Sequence, residues 1–150
     1  MKIFDASNTL IKNYQIFKPD RNLVFHWTGK GTVQSVIEWL STRLKGKGTV
    51  GYNYIIDTNG DVYRLCPITA WFHNSGKGTA FDRDTVSIAF LSSGEYPTKQ
   101  QIKSCNILLE TEIYTAVNIV HNFCHSELCA HKPDFPPEYW KKLKHHLHLM

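Results

Sequence analysis

The chain has 150 residues, 42% of them hydrophobic and 20% charged. That is enough for one domain burying about 70% of its unfolded surface, and too apolar for a disordered segment. No apolar run reaches the roughly 18 residues of a membrane span. The formal charge of +4 divides as nine Lys/Arg against five Asp/Glu in residues 1–75 and eight against eight in residues 76–150. With no basic stripe or reading motif, nucleic-acid binding is excluded as an expectation; Arg43, Lys45 and Lys47 read as a solvated helix end and loop.

In chain order, residues 1–20 are polar and irregular and read as an N-terminal wrapping arm. Met1 to Leu10 lacks the apolar stretch of a secretory signal, so a cytoplasmic location on synthesis is expected, with the cell wall reached only on lysis. Leu23 to His26 is a short apolar run closed by the Thr28-Gly29 turn, a buried strand with a histidine at its end. From Thr32, the residues Val33, Val36, Ile37, Leu40 and Leu44 share one helix face, and Gly46 and Gly48 end the pattern. Tyr52–Ile56 and Asp61–Leu65 read as strands joined by Asp57-Thr58-Asn59-Gly60, whose Asn-Gly predicts a hairpin. The Gly- and Asn-rich stretch from His73 to Gly78 is a loop, and Thr85–Leu91 is a third strand-like run.

Thr98 with Gln101 forms a capping box, and Ile102, Cys105, Leu108, Leu109, Ile113 and Ala116/Val117 continue the long helix. A Pro-rich turn, a helix led by Trp140 and a basic, histidine-rich tail over 141–150 close the chain. The tail's His145, His146 and His148 read as a frayed, solvated end. Strands and helices mix without strict alternation. The predicted fold is therefore a single α/β domain with a central mixed sheet, flanked by helices and carrying one antiparallel pair.

Cys66, Cys105, Cys124 and Cys129 have no paired zinc-ribbon spacing, and a chain of this length folds without disulfides, so they read as reduced thiols, mostly in the core. The chemistry-bearing set is instead His26, His125 and Asp134. Two imidazoles and a carboxylate make a zinc shell with an open fourth position, as catalytic zinc requires. Eight histidines and thirteen acids allow many other triples, so spacing alone does not select this one.

Five ordered segments do select it. They are Phe25-His26-Trp27-Thr28; Gly51-Tyr52-Asn53-Tyr54-Ile55-Ile56-Asp57 with Gly60; Ala70 to His73; Ser87-Ile88; and His125-Ser126-Glu127 followed by Lys132-Pro133-Asp134. Over about residues 22–140 the chain resembles the zinc-dependent N-acetylmuramoyl-L-alanine amidases of the type-2 family, which includes phage lysins and peptidoglycan recognition proteins. The resemblance implies one zinc ion held by His26, His125 and Asp134, catalytic roles for Tyr52 and Lys132, and a substrate contact at His73. It also implies a peptidoglycan or muropeptide substrate. A monomer is expected, because a small enzyme moves more easily through a meshwork.

Departures from the family pattern accompany these matches. Phe135-Pro136-Pro137 follows Asp134 directly where many members continue Pro-Gly, which implies a shorter groove-closing loop. Leu91 stands where some members carry a glutamate able to act as general base, leaving Tyr52 or the metal-activated water to that task. His121 and His131 lie near the second motif, but His125 precedes Ser126-Glu127 at the better distance from Lys132 and Asp134. Tyr54 alternates with Tyr52 and reads as core. His73 reads equally as a substrate contact or an exposed loop residue, and Trp27, Trp71 and Trp140 as sugar-stacking surface or simple packing. Three functions remain open from sequence: a lytic enzyme, a cytoplasmic amidase that recycles muropeptides, and a non-catalytic peptidoglycan-binding module.

Overall fold

The computed structural model describes residues 1–6, 20–43, 51–70, 72, 77–129 and 135–150. Among them, six strands form one sheet: β1 (Ile3–Asp5), β2 (Asp20–Trp27), β3 (Tyr54–Ile56), β4 (Val62–Arg64), β5 (Thr85–Phe90) and β6 (Asn118–Cys124). Their order is β1-β4-β3-β5-β2-β6. The β3–β4 hairpin is the antiparallel pair, and every other neighbouring pair is parallel. The expected mixed α/β architecture is what the chain adopts.

Alternation along the strands sorts side chains onto two faces. Leu23, Phe25, Tyr54, Ile56, Val86, Ile88 and Phe90 turn to one side. There they meet Cys105 and Leu108 of α3 (Lys99–Leu108) and Trp140 and Leu143 of α6 (Pro137–Leu143), with α1, α2, α4 and α5 lying elsewhere along the chain. Ile55 and Ala89 turn to the other side, beneath Val33, Val36 and Leu40 of α1 (Val33–Thr42). The helices thus cover both faces, as parallel strands require.

Local chemistry sets the helix starts. Thr32 accepts from the Ser35 backbone N–H at 3.1 Å, and the Ser35 hydroxyl accepts from the Thr32 N–H at 2.8 Å. Thr98 and Gln101 make the predicted reciprocal box on α3. Gln101, buried at 1% exposure, also donates its amide to the carbonyls of Ile56 and Leu91, fastening the helix to the ends of β3 and β5. The hairpin turn uses Gly60 at φ +89°, in the left-handed region that glycine enters without cost.

Several elements differ from the sequence expectation. Within the expected arm, Ile3–Asp5 is an edge strand paired with β4; three residues are too short a stretch to show an alternation. Asn118–Cys124, with its Asn and His residues, is a strand whose polar positions lie at the sheet edge. A short helix, α2 (Thr79–Arg83), precedes β5. The long helix is composite: after Leu108 the turn widens into a π-helix over Leu109–Ile113 and ends in one turn, α4 (Tyr114–Ala116). The widened turn keeps Leu109 and Ile113 in the core and lets Glu112 pair with Arg64 and accept from the Tyr54 hydroxyl.

The C-terminal tail is docked, contrary to the frayed end expected. Leu147 is buried at 6% exposure. Asn106 of α3 brackets the tail, donating to the His146 carbonyl at 3.0 Å and accepting from the His148 N–H at 2.8 Å. His148 also pairs with Glu110. One apolar anchor and a two-sided amide outweigh the solvation preference of the flanking histidines.

Candidate metal centre

His26 is delivered by β2. Phe25 belongs to the core under α3, so alternation turns His26 to the α1 side. The residue beside it in register on β5 is Ala89, whose single methyl adds little bulk to that face. His26 is 2% exposed.

His125 arrives from the other side of β2. Cys124, the last residue of β6, is in register with Phe25, and the chain then turns into α5 (His125–Leu128). The Cys124 N–H donates to the Glu127 carboxylate at 3.2 Å, and that carboxylate lies in the helix's first turn, where the helix dipole favours it. His125, 4% exposed, stacks its ring against that of His26 with centroids 4.6 Å apart and an interplanar angle of 50°. His121, by contrast, is exposed on β6, so the structure favours His125 as the partner of His26. His131 lies outside the described residues.

Tyr52 completes the described cluster, its ring centroid 5.2 Å from that of His26 at 60°. Gly51 explains this placement. Its φ of +66° is the left-handed region, and a Cβ there would sit 2.8 Å from Leu40 Cδ2 of α1, so only glycine lets the chain pass this close to the helix. Asn53, fully buried, holds the next position. It exchanges hydrogen bonds with the Ser87 backbone at 3.0 and 2.8 Å and donates its amide to the Pro67 carbonyl at 3.1 Å. Below it lies Cys66, whose thiol burial pushes up to about 12, so it is neutral and takes no part as a thiolate.

Of the predicted site residues, His26, His125 and Tyr52 come together, while His73, Lys132 and Asp134 lie outside the described residues. Among the described residues no group of three His, Cys, Asp or Glu side chains could hold a metal ion; the histidine pair provides two nitrogen donors. Leu91 is 7% exposed and belongs to the core beneath α1, so it contributes no base. Trp140 is 3% exposed and packs on Phe25, which makes it core and removes it from any sugar-stacking surface. Trp27 packs against Phe135 and Tyr139, and Trp71 lies outside the described residues.

A family model described as N-acetylmuramoyl-L-alanine amidase matches residues 17–143. The chain belongs to this amidase family. No curated protein matches the sequence. Among solved structures, this amidase-family chain is similar to the N-acetylmuramoyl-L-alanine amidase LysC from Clostridium intestinale, at 20% identity and a TM-score of 0.70, over 100% of this chain and 99% of that one. Drosophila PGRP-LB aligns with a TM-score of 0.77 at 13% identity, over 97% and 95% of the two chains. The Ph2119 endolysin from a Thermus scotoductus bacteriophage gives 0.69 at 17% identity, over 97% and 98%. At these identities the likeness is one of fold.

Sequence reasoning passed over Asn53 and Ser126 as individual residues. Asn53 carried a signal, a polar amide between two tyrosines in an otherwise apolar strand. Ser126 carried none beyond its place next to His125.

Proposed function

We propose that this chain is a zinc-dependent amidase that hydrolyses the amide bond between N-acetylmuramic acid and L-alanine in peptidoglycan, as a lytic enzyme of the endolysin kind. The observation that carries the reading is the pair of buried imidazoles, His26 and His125, in ring contact beside Tyr52 in an amidase-family chain. Two imidazoles taken out of water need a polar partner, and a metal ion is a partner that both can share.

The donor chemistry fits zinc. Imidazole nitrogen is a preferred ligand, and two of them with one carboxylate leave the fourth position that catalytic zinc keeps open. His26, His125 and Asp134 would hold the ion. When bound, zinc supplies Lewis acidity toward the amide carbonyl and lowers the pKa of a water toward about 7.

The chain's own groups do the rest. Hydrolysis places the hydroxyl of water on the lactyl carbonyl carbon and a proton on the L-alanine nitrogen, so the C–N bond breaks into a carboxylate and a free amine. The Tyr52 hydroxyl, next to His26, donates to the oxygen as charge develops on it, and the Lys132 ammonium adds a second donor. His73 contacts the bound substrate. With Leu91 in place of a carboxylate, Tyr52 also handles the proton that the base would take.

Peptidoglycan sacculi and a soluble muropeptide, each incubated with the protein with and without chelator, test this reading. The lytic reading expects new L-alanine amino termini from sacculi that vanish on chelation and return with zinc. Cleavage of the soluble fragment alone would assign a recycling role. Tight wall binding by zinc-loaded protein without cleavage would assign a binding module.

A further inference from the structure

The segment that carries Lys132 and Asp134 runs from α5 to Phe135, and its two ends are tied to each other. Ser126, immediately after His125, donates its hydroxyl to the Phe135 carbonyl at 2.6 Å, while its Oγ lies 3.1 Å from Cys124 Sγ. Phe135, immediately after Asp134, is held in two further ways. Its ring is 1% exposed and packs on Phe90 and Trp27, with centroids 5.8 and 6.1 Å away. Its backbone has φ +68°, the one positive φ outside glycine among the described residues.

A phenylalanine adopts the left-handed region at a cost, and such strain persists where surrounding contacts over-determine it. Here the buried ring and the Ser126 hydrogen bond do so together. We infer that Ser126 and Phe135 form a clamp that presets the approach of Asp134 to His125, making Ser126 a positioning residue for the metal centre. This rests on the reading that His125 and Asp134 are zinc ligands. The clamp explains how a carboxylate nine positions along the chain is presented to the histidine: the residues flanking the two ligands are bonded to each other. Groups that orient metal ligands from behind change metal affinity by about 10–100-fold when removed.

The test compares Ser126→Thr with Ser126→Val, which match in shape and differ in the hydroxyl. Zinc affinity is read by competition with a chromophoric chelator, and the melting temperature of the metal-free protein is read alongside. The clamp predicts that the threonine variant keeps the wild-type zinc affinity. The valine variant weakens it about 10–100-fold, while the two metal-free variants melt together. Equal zinc affinity in the two variants overturns the clamp. So does a loss in valine matched by an equal fall in metal-free stability, since that marks a general structural role. Failure of the wild-type protein to bind zinc at all would strike the underlying reading instead.

Discussion

The rings of His26 and His125 face each other at 4.6 Å between centroids, although one ends an inner strand and the other begins a helix far along the chain. Register creates the meeting. The β2–β6 pairing sets Cys124 opposite Phe25, so the next residue of each strand emerges at the same level. A one-residue slip would turn the histidine to the opposite face. The core residues Leu23 and Phe25 guard against that slip by requiring the α3 side.

Tyr52 is predicted to act on the reaction and not on the metal. Tyr52→Phe keeps the ring beside His26 and removes the donor. The expected result is unchanged zinc affinity and a fall in kcat of about 10²-fold, the usual scale for one oxyanion donor. Steady-state kinetics beside chelator competition separates the two; a loss of zinc would show that the hydroxyl supports the site instead.

Gly51→Ala is predicted to destabilise the fold and displace Tyr52. A side chain at φ +66° costs about 1–2 kcal/mol, and the added methyl would press on Leu40. Urea denaturation should show that loss, with reduced activity on the zinc-loaded protein. Unchanged stability and activity would mean that the close approach to α1 is dispensable.

The thiols give a prediction about pH. Burial raises the pKa of Cys66 to about 12 and raises those of Cys105 and Cys124 in the same direction, against an ordinary value of about 8.5. The folded state therefore holds these protons more tightly than the unfolded chain. Their contribution is complete below about pH 8.5 and is lost as pH rises toward 12. Denaturation free energies should fall across that window, less steeply in Cys66→Ala. At neutral pH, Cys129, partly exposed, should react fast with a thiol reagent and the other three slowly, with or without chelator. A chelator-dependent thiol would place a cysteine on the metal.

Much of this was legible in the sequence because local chemistry and tertiary structure agree. The Thr98–Gln101 box, the Asn59-Gly60 turn and the apolar stripe of α1 all signal through residue type at fixed spacing, and the fold uses each of them. His26, Tyr52 and His125 were found because their neighbours carry the family's pattern. What stayed hidden depends on long-range contact. β6 is an edge strand with polar residues on its open side, β1 is three residues long, and the π-helical turn follows from what Leu109, Glu112 and Ile113 meet in space. The tail's histidines suggested solvent, whereas Leu147 and the Asn106 bracket decided its position.

The most direct test of the central claim is the zinc content and zinc affinity of His26→Ala and His125→Ala beside the wild-type protein, measured with cleavage of peptidoglycan on the same samples. The account predicts one tightly bound zinc per wild-type chain, with both metal and cleavage lost in each variant while the fold persists. Full zinc binding and full cleavage by either variant would contradict it.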